Sequence, residues 1–310
     1  MPDYSEYIIK ENDEIEIFAN YRGDYTFLSD IFLGPILTKE FIKRQTKLES
    51  TKGDNAFSAI VLDFDNKELL IEIYQDEEED GSGIFSTEIL LKILEARYPG
   101  WSIKYATNGI LDRQKYLSIR NYKSIVFCDY DKDGWDEPRG TLISLNDNSE
   151  TKIFWNELSL YELIPKGTDF ILNEENQDNV PENRFPFGGI HVDFNDKKMF
   201  FWYFNPTPQA EKWAIKYWKG YEVSFLFNGY RNHFNILELS KFNDVINCGM
   251  TKALNALKES LVFSYERYSE ISSSNERYNQ ELKLMNTSER LNIFEKTINE
   301  LNKNGLQQFV

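Results

Sequence analysis

LDFDNKELLIEIY at residues 62–74 and VDFNDKKMFFWYF at residues 192–204 share one pattern. Three positions are identical when the two stretches are laid together: Asp63 with Asp193, Phe64 with Phe194, and Lys67 with Lys197. In each stretch, apolar residues flank a short turn of Asp, Asn and Lys, which predicts a β-hairpin. A repeated segment of this kind indicates an internal duplication, and a duplication predicts that the same structural elements recur in both copies.

The same register extends beyond the two hairpins. Upstream it aligns several identical residues: Leu33 with Leu163, Pro35 with Pro165, and Ile60 with Ile190. After an insertion in the first copy at DEEEDGSG, it aligns YPGWSIKYATNG at 98–109 with WKGYEVSFLFNG at 218–229, and Cys128 with Cys248. Because one insertion keeps the register over this length, the sequence favours tandem duplication over chance similarity.

Each copy has the same predicted order of elements, namely hairpin, helix and second hairpin. The helix of the first copy is predicted at 87–97, before Pro99, and the second copy offers Thr207 and Pro208 as a helix start. Asn-Gly follows an alternating strand in both copies and predicts a tight turn, with a last apolar strand ending at the cysteine. The predicted fold class is α+β: two diverged tandem repeats, each a mainly antiparallel sheet with a packed helix, followed by a C-terminal helical segment.

The predicted domains follow from this order. They are an N-terminal segment at 1–24, the first α+β repeat at 25–148, the second α+β repeat at 149–248, and C-terminal helices at 249–310. In the last segment, Met250, Leu254 and Leu257 begin an apolar stripe at helical spacing. We expect this stripe to dock on the repeats or on a partner.

Charge restricts the kind of partner. The chain holds 35 Lys and Arg against 51 Asp and Glu, a net charge of −16. Such a protein repels phosphate backbones and anionic lipids, so we expect a cationic protein partner, with no nucleic acid and no membrane. Residues 1–200 hold 39 acidic and 22 basic side chains, whereas residues 201–310 hold 12 and 13. The predicted partner-binding residues are Asp76, Glu77, Glu78, Glu79, Asp80, Asp136 and Glu137.

Few residues suggest catalysis. Cys128 with His191 or His233 has the residue types of a nucleophile and its base, but both cysteines end predicted apolar strands, which favours small buried hydrophobes. The sequence has no phosphate loop, no nucleophile elbow and no zinc-protease motif. We therefore expect no catalytic residues and no cofactor. The absence of a signal peptide pattern and of a long apolar run predicts a cytoplasmic protein.

An acidic loop offers an alternative function. Asp129, Asp131 and Asp133, followed by Gly134, match the first half of a calcium-binding loop. Gly140 stands where such a loop needs a bidentate glutamate, and strand-like sequences flank the loop, so an acidic hairpin loop is favoured. Calcium or magnesium at these three aspartates, in a metal-binding module or a metal-dependent enzyme, remains the alternative.

In general character the chain resembles the immunity proteins of bacterial polymorphic toxin and contact-dependent competition systems. The resemblance rests on acidity, on the tandem α+β modules and on the stretch from Tyr98-Pro-Gly-Trp to Asn108-Gly109. It implies a protein that neutralises a cognate toxin by occluding a basic surface with carboxylates that mimic phosphate. A structural or scaffold protein assembling through its C-terminal helices is a further alternative.

Overall fold

The computed structural model divides the chain into two compact units. The first unit holds Met1–Tyr74, Phe85–Ile119 and Met250–Val310, and the second holds Gln75–Ile84 and Arg120–Gly249. The structure describes residues 4–20, 27, 30–51, 56–73, 82–117, 140–147, 150–173, 180–181, 184–203, 205, 209–227, 229–237, 246, 248–260, 291–292, 294–296 and 298–299.

The first unit is built on a six-stranded sheet in the order β3-β2-β1-β4-β5-β6. Its strands are β1 (Tyr4–Glu11), β2 (Glu14–Asn20), β3 (Thr46–Leu48), β4 (Ala56–Asp63), β5 (Glu68–Ile73) and β6 (Ser102–Tyr105). Its helices are α1 (Pro35–Ile42), α2 (Ser82–Arg97) and α3 (Ile110–Leu117). Strand β1 runs antiparallel to β2 and parallel to β4, and β5 runs antiparallel to β4 and parallel to β6.

The second unit is built on a five-stranded sheet in the order β11-β10-β9-β7-β8. Its strands are β7 (Thr141–Asp147), β8 (Glu150–Asn156), β9 (Gly188–Asp193), β10 (Lys198–Tyr203) and β11 (Glu222–Phe225). Its helices are α4 (Leu160–Leu163), α5 (Gly167–Asn173), α6 (Ala210–Tyr217) and α7 (Gly229–Ile236), with a 3₁₀ turn at Ile164–Lys166.

The two sheets share one topology, which confirms the α+β fold with two similar repeats. Read from β8, the second sheet follows the strand order of the first sheet read from β2, with the same strand directions throughout. Both sheets are mixed, because crossover connections leave β1 beside β4 and β5 beside β6 in parallel. The parallel pairs are the difference from the mainly antiparallel sheets that the sequence predicts.

The duplicated hairpin is conserved in its turn as well as in its strands. Asp63 Oδ1 accepts the backbone N–H of Asn66 at 3.0 Å, and Asp193 Oδ1 accepts that of Asp196 at 2.9 Å. Lys67 and Lys197 both adopt the left-handed conformation, with φ of 52° and 54°. The identical residues of the sequence alignment therefore hold identical positions in two turns, and the two predicted hairpins are confirmed.

Equivalent side chains also close the two cores. Tyr98 follows α2 and donates its hydroxyl to Ile31 O at 2.8 Å, while Trp218 follows α6 and donates its indole N–H to Ile164 O at 3.1 Å. Both side chains are buried. Burial raises the pKa of the Tyr98 hydroxyl well above its ordinary value, so this group remains a hydrogen-bond donor.

Two local predictions are wrong. Asn108-Gly109 leads into helix α3 instead of a hairpin strand, and Asp112 secures this start by accepting the Asn108 backbone N–H at 2.9 Å. Helix α7 likewise begins at Gly229. Cys248 is exposed and lies among helical residues, so it does not end a buried strand. Cys128 lies outside the described residues.

The structure also shows where the segments around the predicted boundaries belong. Residues 4–20, predicted as part of a separate N-terminal segment, form β1 and β2 of the first sheet. The predicted boundary between 148 and 149 falls inside the β7–β8 hairpin of the second sheet. Residues 248–260 are helical, and Met250, Ala253 and Leu257 are buried there. No helix among the described residues is long and apolar enough to cross a membrane.

Candidate functional site

Helices α3 and α7 each carry one polar side chain into the interior of their own unit. Arg113 of α3 is 1% exposed and His233 of α7 is 0% exposed. The two residues are equivalent in the repeats, since each lies four positions after the glycine of the duplicated Asn-Gly pair. Each helix is thus fixed to its sheet by a buried polar contact, but the chemistry of the two contacts differs.

In the first unit this contact is ionic, and we name Glu6, Thr51, Glu72 and Arg113 the charged latch. Arg113 Nη1 donates to Glu6 Oε1 at 2.6 Å, and Arg113 Nε forms an ion pair with Glu72. Thr51 Oγ1 donates to Glu6 Oε1 at 2.7 Å. Glu6 lies on β1 and Glu72 on β5, so one guanidinium joins α3 to both sides of β4. Buried ions of this kind are stable only when paired.

In the second unit the contact is a chain of neutral hydrogen bonds, and we name Ser144, His191, Trp202 and His233 the histidine latch. The Trp202 indole, which can only donate, lies 3.1 Å from His233 Nδ1. His233 Nε2 lies 2.6 Å from Ser144 Oγ, and Ser144 Oγ lies 2.7 Å from His191 Nδ1.

The position of each polar hydrogen in the histidine latch follows from the neighbouring donor or acceptor. Because His233 Nδ1 accepts from Trp202, the neutral ring carries its hydrogen on Nε2 and donates it to Ser144. The Ser144 hydroxyl is then left to donate to His191 Nδ1. All the bonds of the histidine latch therefore run in one direction, from Trp202 to His191.

The pKa values of both histidines agree with neutral rings. Burial, with a smaller contribution from nearby His191, lowers the pKa of His233 to about 3. Burial also lowers the pKa of His191, although the Asp193 carboxylate partly opposes the shift. At neutral pH both imidazoles are therefore uncharged, as the hydrogen-bond chain requires.

A serine beside two histidines has the residue types of a nucleophile and its bases, but burial decides against that role. Ser144 is 0% exposed, so no substrate can reach its hydroxyl, and His191 at 8% is the member nearest to solvent. Covalent catalysis needs a nucleophile that a substrate can approach. The arrangement instead fixes α7 on β7, β9 and β10.

Sequence reasoning missed both latches, although signals were present. In strand pairing, Ile8 lies beside Val61 where the second sheet has Ser144 beside His191. Two polar residues at positions that are apolar in the sister repeat are such a signal. Glu6 and Glu72 are a second signal, because each places a carboxylate inside a predominantly apolar strand.

Gly189 gives a direct test of the packing around the histidine latch. A Cβ at this position would lie 2.2 Å from Trp202 Nε1 and 2.7 Å from His233 Nδ1. We expect Gly189→Ala to lower the free energy of unfolding of the second unit by about 2–3 kcal/mol, because Trp202 and His233 must separate. Denaturant unfolding followed by hydrogen exchange of second-unit peptides measures this loss.

The matched control for Gly189→Ala is Ala59→Gly. Ala59 is the equivalent position in the first unit, where the side chain is buried and accommodated. Its replacement by glycine should cost the first unit about 1 kcal/mol, through backbone entropy and lost packing. An equal and small effect at both positions would contradict the tight contact at Gly189.

The turns at one end of the first sheet present carboxylates to solvent. Asp65 lies in the β4–β5 turn and accepts the backbone N–H groups of Asn12 and Asp13 at 2.7 and 3.1 Å. These bonds hold the β1–β2 turn against the β4–β5 turn. Asp13, Glu14 and Asp65 are exposed in these two turns.

The sequence-predicted site residues lie elsewhere. Both predicted groups, for partner binding and for metal binding, are outside the described residues: Asp76, Glu77, Glu78, Glu79, Asp80, Asp136 and Glu137, and Asp129, Asp131 and Asp133. Among the residues that the structure does describe, no group of three or more His, Cys, Asp and Glu side chains could hold a metal ion. The calcium or magnesium alternative at Asp129–Asp133 stays a prediction.

No family model, curated protein or solved structure matches this chain. Its function has to be argued from its own residues, which offer two features of different kinds. The latches are internal and belong to the folding of each unit. The exposed carboxylates of the first repeat are the feature that a partner can reach.

Proposed function

We propose that this chain is a non-catalytic, cytoplasmic binding protein that engages a cationic protein partner through its acidic first repeat. The observation that carries the proposal is the segregation of charge. Residues 1–148, which end with the predicted first repeat, hold 29 acidic and 17 basic side chains, and residues 149–310 hold 22 and 18. A negative field concentrated on one part of a molecule steers a basic partner toward that part and accelerates association.

The exposed turns of the first sheet support this location. The β4–β5 turn carries the exposed Asp65 and β5 begins at Glu68, which pairs with Lys104; the equivalent positions of the second repeat are Asn195 and Lys198. Together with Asp13 and Glu14 of the adjoining turn, Asp65 gives the first repeat exposed carboxylates at this end, whereas in the β9–β10 turn Asp196 is followed by Lys197 and Lys198. Two copies of one fold have therefore diverged in surface charge while keeping the same turn geometry.

The partner that this chemistry fits best is a toxin with a basic substrate cleft. Carboxylates presented on a rigid sheet can occupy the sites where such a cleft binds phosphate, and occlusion of the cleft needs no catalytic group in the inhibitor. The buried polar side chains of the two latches fix helices on their sheets. This structural use favours a binding role over a catalytic one. This assignment agrees with the resemblance to immunity proteins.

The first experiment tests the role in cells. The products of the genes adjoining this one are expressed separately, each alone and each together with the chain, and growth is scored. We expect one product to arrest growth and the chain to restore it. If no adjoining product is toxic, or if the chain binds a toxic product without restoring growth, the immunity role is wrong.

The second experiment tests the acidic surface with the purified partner found in this way. Neutralising the five carboxylates of residues 76–80 should slow association by about tenfold or more at low salt, because the steering field is weakened. Stopped-flow kinetics at several salt concentrations measures the rate. The variant is Asp76→Asn, Glu77→Gln, Glu78→Gln, Glu79→Gln and Asp80→Asn.

A matched control removes the same number of charges from the last third of the chain. It carries Glu211→Gln, Glu222→Gln, Glu238→Gln, Asp244→Asn and Glu259→Gln. Because both variants change the net charge equally, a general charge effect slows both alike. Equal slowing would show that residues 76–80 are not part of the binding surface and would overturn the proposed location.

A further inference from the structure

Basic and apolar side chains are exposed together along helix α6 and just after it, and we name Lys212, Ile215, Lys216 and Tyr217 of the helix, with Lys219 of the following turn, the lysine face. Ile215 is 56% exposed and Tyr217 is 40% exposed, although both are large and apolar in body. Lys212, Lys216 and Lys219 are exposed around them. Residues three and four apart on a helix are neighbours, so Lys212 flanks both Ile215 and Lys216.

The lysine face lacks internal neutralisation. Lys216 Nζ lies 4.8 Å from the centre of the Tyr217 ring, a contact that orients the ammonium group without cancelling its charge. Within the described part of the chain, no carboxylate forms an ion pair with Lys212, Lys216 or Lys219. Lysines four apart on a helix repel each other when no acidic side chain lies between them.

The equivalent helix of the sister repeat differs in charge at this face. On α2, the positions equivalent to Lys212, Ile215 and Lys216 hold Lys92, Glu95 and Ala96. Lys92 Nζ pairs with Glu95 Oε2 at 3.1 Å, so the first-repeat helix neutralises its own lysine. In the second repeat, an exposed isoleucine replaces that glutamate and a further lysine replaces the alanine.

The chemistry of this face selects an acidic protein surface. Ile215 and Tyr217 gain by burial against apolar groups, whereas the three lysines need carboxylates. A nucleic acid fits poorly, because the chain as a whole carries −16 and repels phosphate backbones. The chain itself supplies an acidic surface in its first repeat, where Asp13, Glu14 and Asp65 are exposed and residues 1–148 hold 29 acidic against 17 basic residues.

We propose that the lysine face of one copy binds the acidic first repeat of a second copy. The two surfaces differ, so the contact is head to tail, and a contact of this kind can continue from copy to copy. Self-association through this head-to-tail contact covers acidic residues of the first repeat that would otherwise bind a cationic partner. The inference stands apart from the immunity role, since it requires only the charges of this chain.

Sedimentation velocity of the full-length chain over a wide concentration range tests the proposal. At low salt we expect the average mass to rise with concentration past that of two chains. In high salt it should return to one chain, because 1 M salt shortens the screening length to about 3 Å. A monomer at every concentration in low salt would overturn the proposal. The same result is expected if another part of the same chain covers the lysine face, and that case also contradicts the proposal.

Variants identify the face. Lys212→Glu with Lys216→Glu should weaken association by at least about tenfold, and Ile215→Ser should weaken it while leaving the salt dependence unchanged. The matched control is Lys152→Glu with Lys198→Glu, exposed lysines of the same unit with the same total change of charge. Thermal unfolding checks that each variant folds. Association unaffected by the first pair, or lost equally in the control, would assign self-association to another surface.

Discussion

Replacing Arg113 by methionine should lower the free energy of unfolding of the first unit by about 3–5 kcal/mol. The side chain is 1% exposed, and its removal leaves Glu6 and Glu72 buried without their cation. A buried carboxylate without a partner is far less stable than one in water. Denaturant unfolding followed by hydrogen exchange of α3 and β1 peptides measures the loss, with second-unit peptides as the internal reference.

The control for this prediction removes all the charges of the charged latch together. Combining Arg113→Met with Glu6→Gln and Glu72→Gln leaves no buried ion in the charged latch, so most of the lost stability should return. A triple variant as unstable as Arg113→Met would show that the methionine packs badly and that the charges are not the cause. A loss below about 1 kcal/mol in the single variant would contradict the buried ion pair itself.

Acid should destabilise the second unit through the histidine latch. The pKa of His233 is about 3 in the folded chain against an ordinary value of 6.5, so unfolding lets this ring take up a proton. The free energy of unfolding therefore falls as pH drops below about 6.5 and continues to fall toward pH 3. His233 alone accounts for about 1.4 kcal/mol per pH unit, or about 3 kcal/mol by pH 4.

A non-titrating variant separates this effect from the general loss of stability in acid. His191→Asn with His233→Gln should show a shallower decline between pH 6.5 and pH 4 than the original chain, measured on second-unit peptides. If the variant does not fold, NMR titration of the His233 ring in the original chain gives the folded pKa directly. Parallel stability curves, or a ring that titrates near 6.5, would contradict the buried neutral histidine.

The sequence predicted the hairpins and the repeat because their signals are local and repeated. Asp63 and Lys67 recur at Asp193 and Lys197, and both pairs build the same turn. The β1–β2 and β7–β8 hairpins do not join their repeats in that register, because the identity between β2 (EIEIFAN) and β8 (ETKIFWN) lies at an offset of 136 residues and not 130. Asn-Gly predicts a hairpin turn, but a local signal does not reveal that the next segment must cross a sheet face as a helix.

The sequence signals single polar residues in apolar strands, but it does not show which of them meet in a latch, because the partners are distant in sequence and unlike in chemistry. Glu6 and Arg113 are 107 residues apart, and Ser144 and His233 are 89 apart. An alignment of the repeats compares arginine with histidine and glutamate with tryptophan, and such pairs look like unrelated surface positions. Their common role becomes visible only when the strand register places them at the same point of the fold.

The difference between the latches also bears on the evolution of the gene. Tandem copies can exchange sequence by recombination, which tends to keep them alike. An exchange that moved α3 into the second unit without β1 and β5 would set the Arg113 guanidinium against Leu142 and Trp202, which hold the positions of Glu6 and Glu72 and cannot form an ion pair with it. The reverse exchange would leave Glu6 and Glu72 facing a neutral imidazole. Once the two latches had diverged, selection would remove such hybrids, and each half could then change its surface independently.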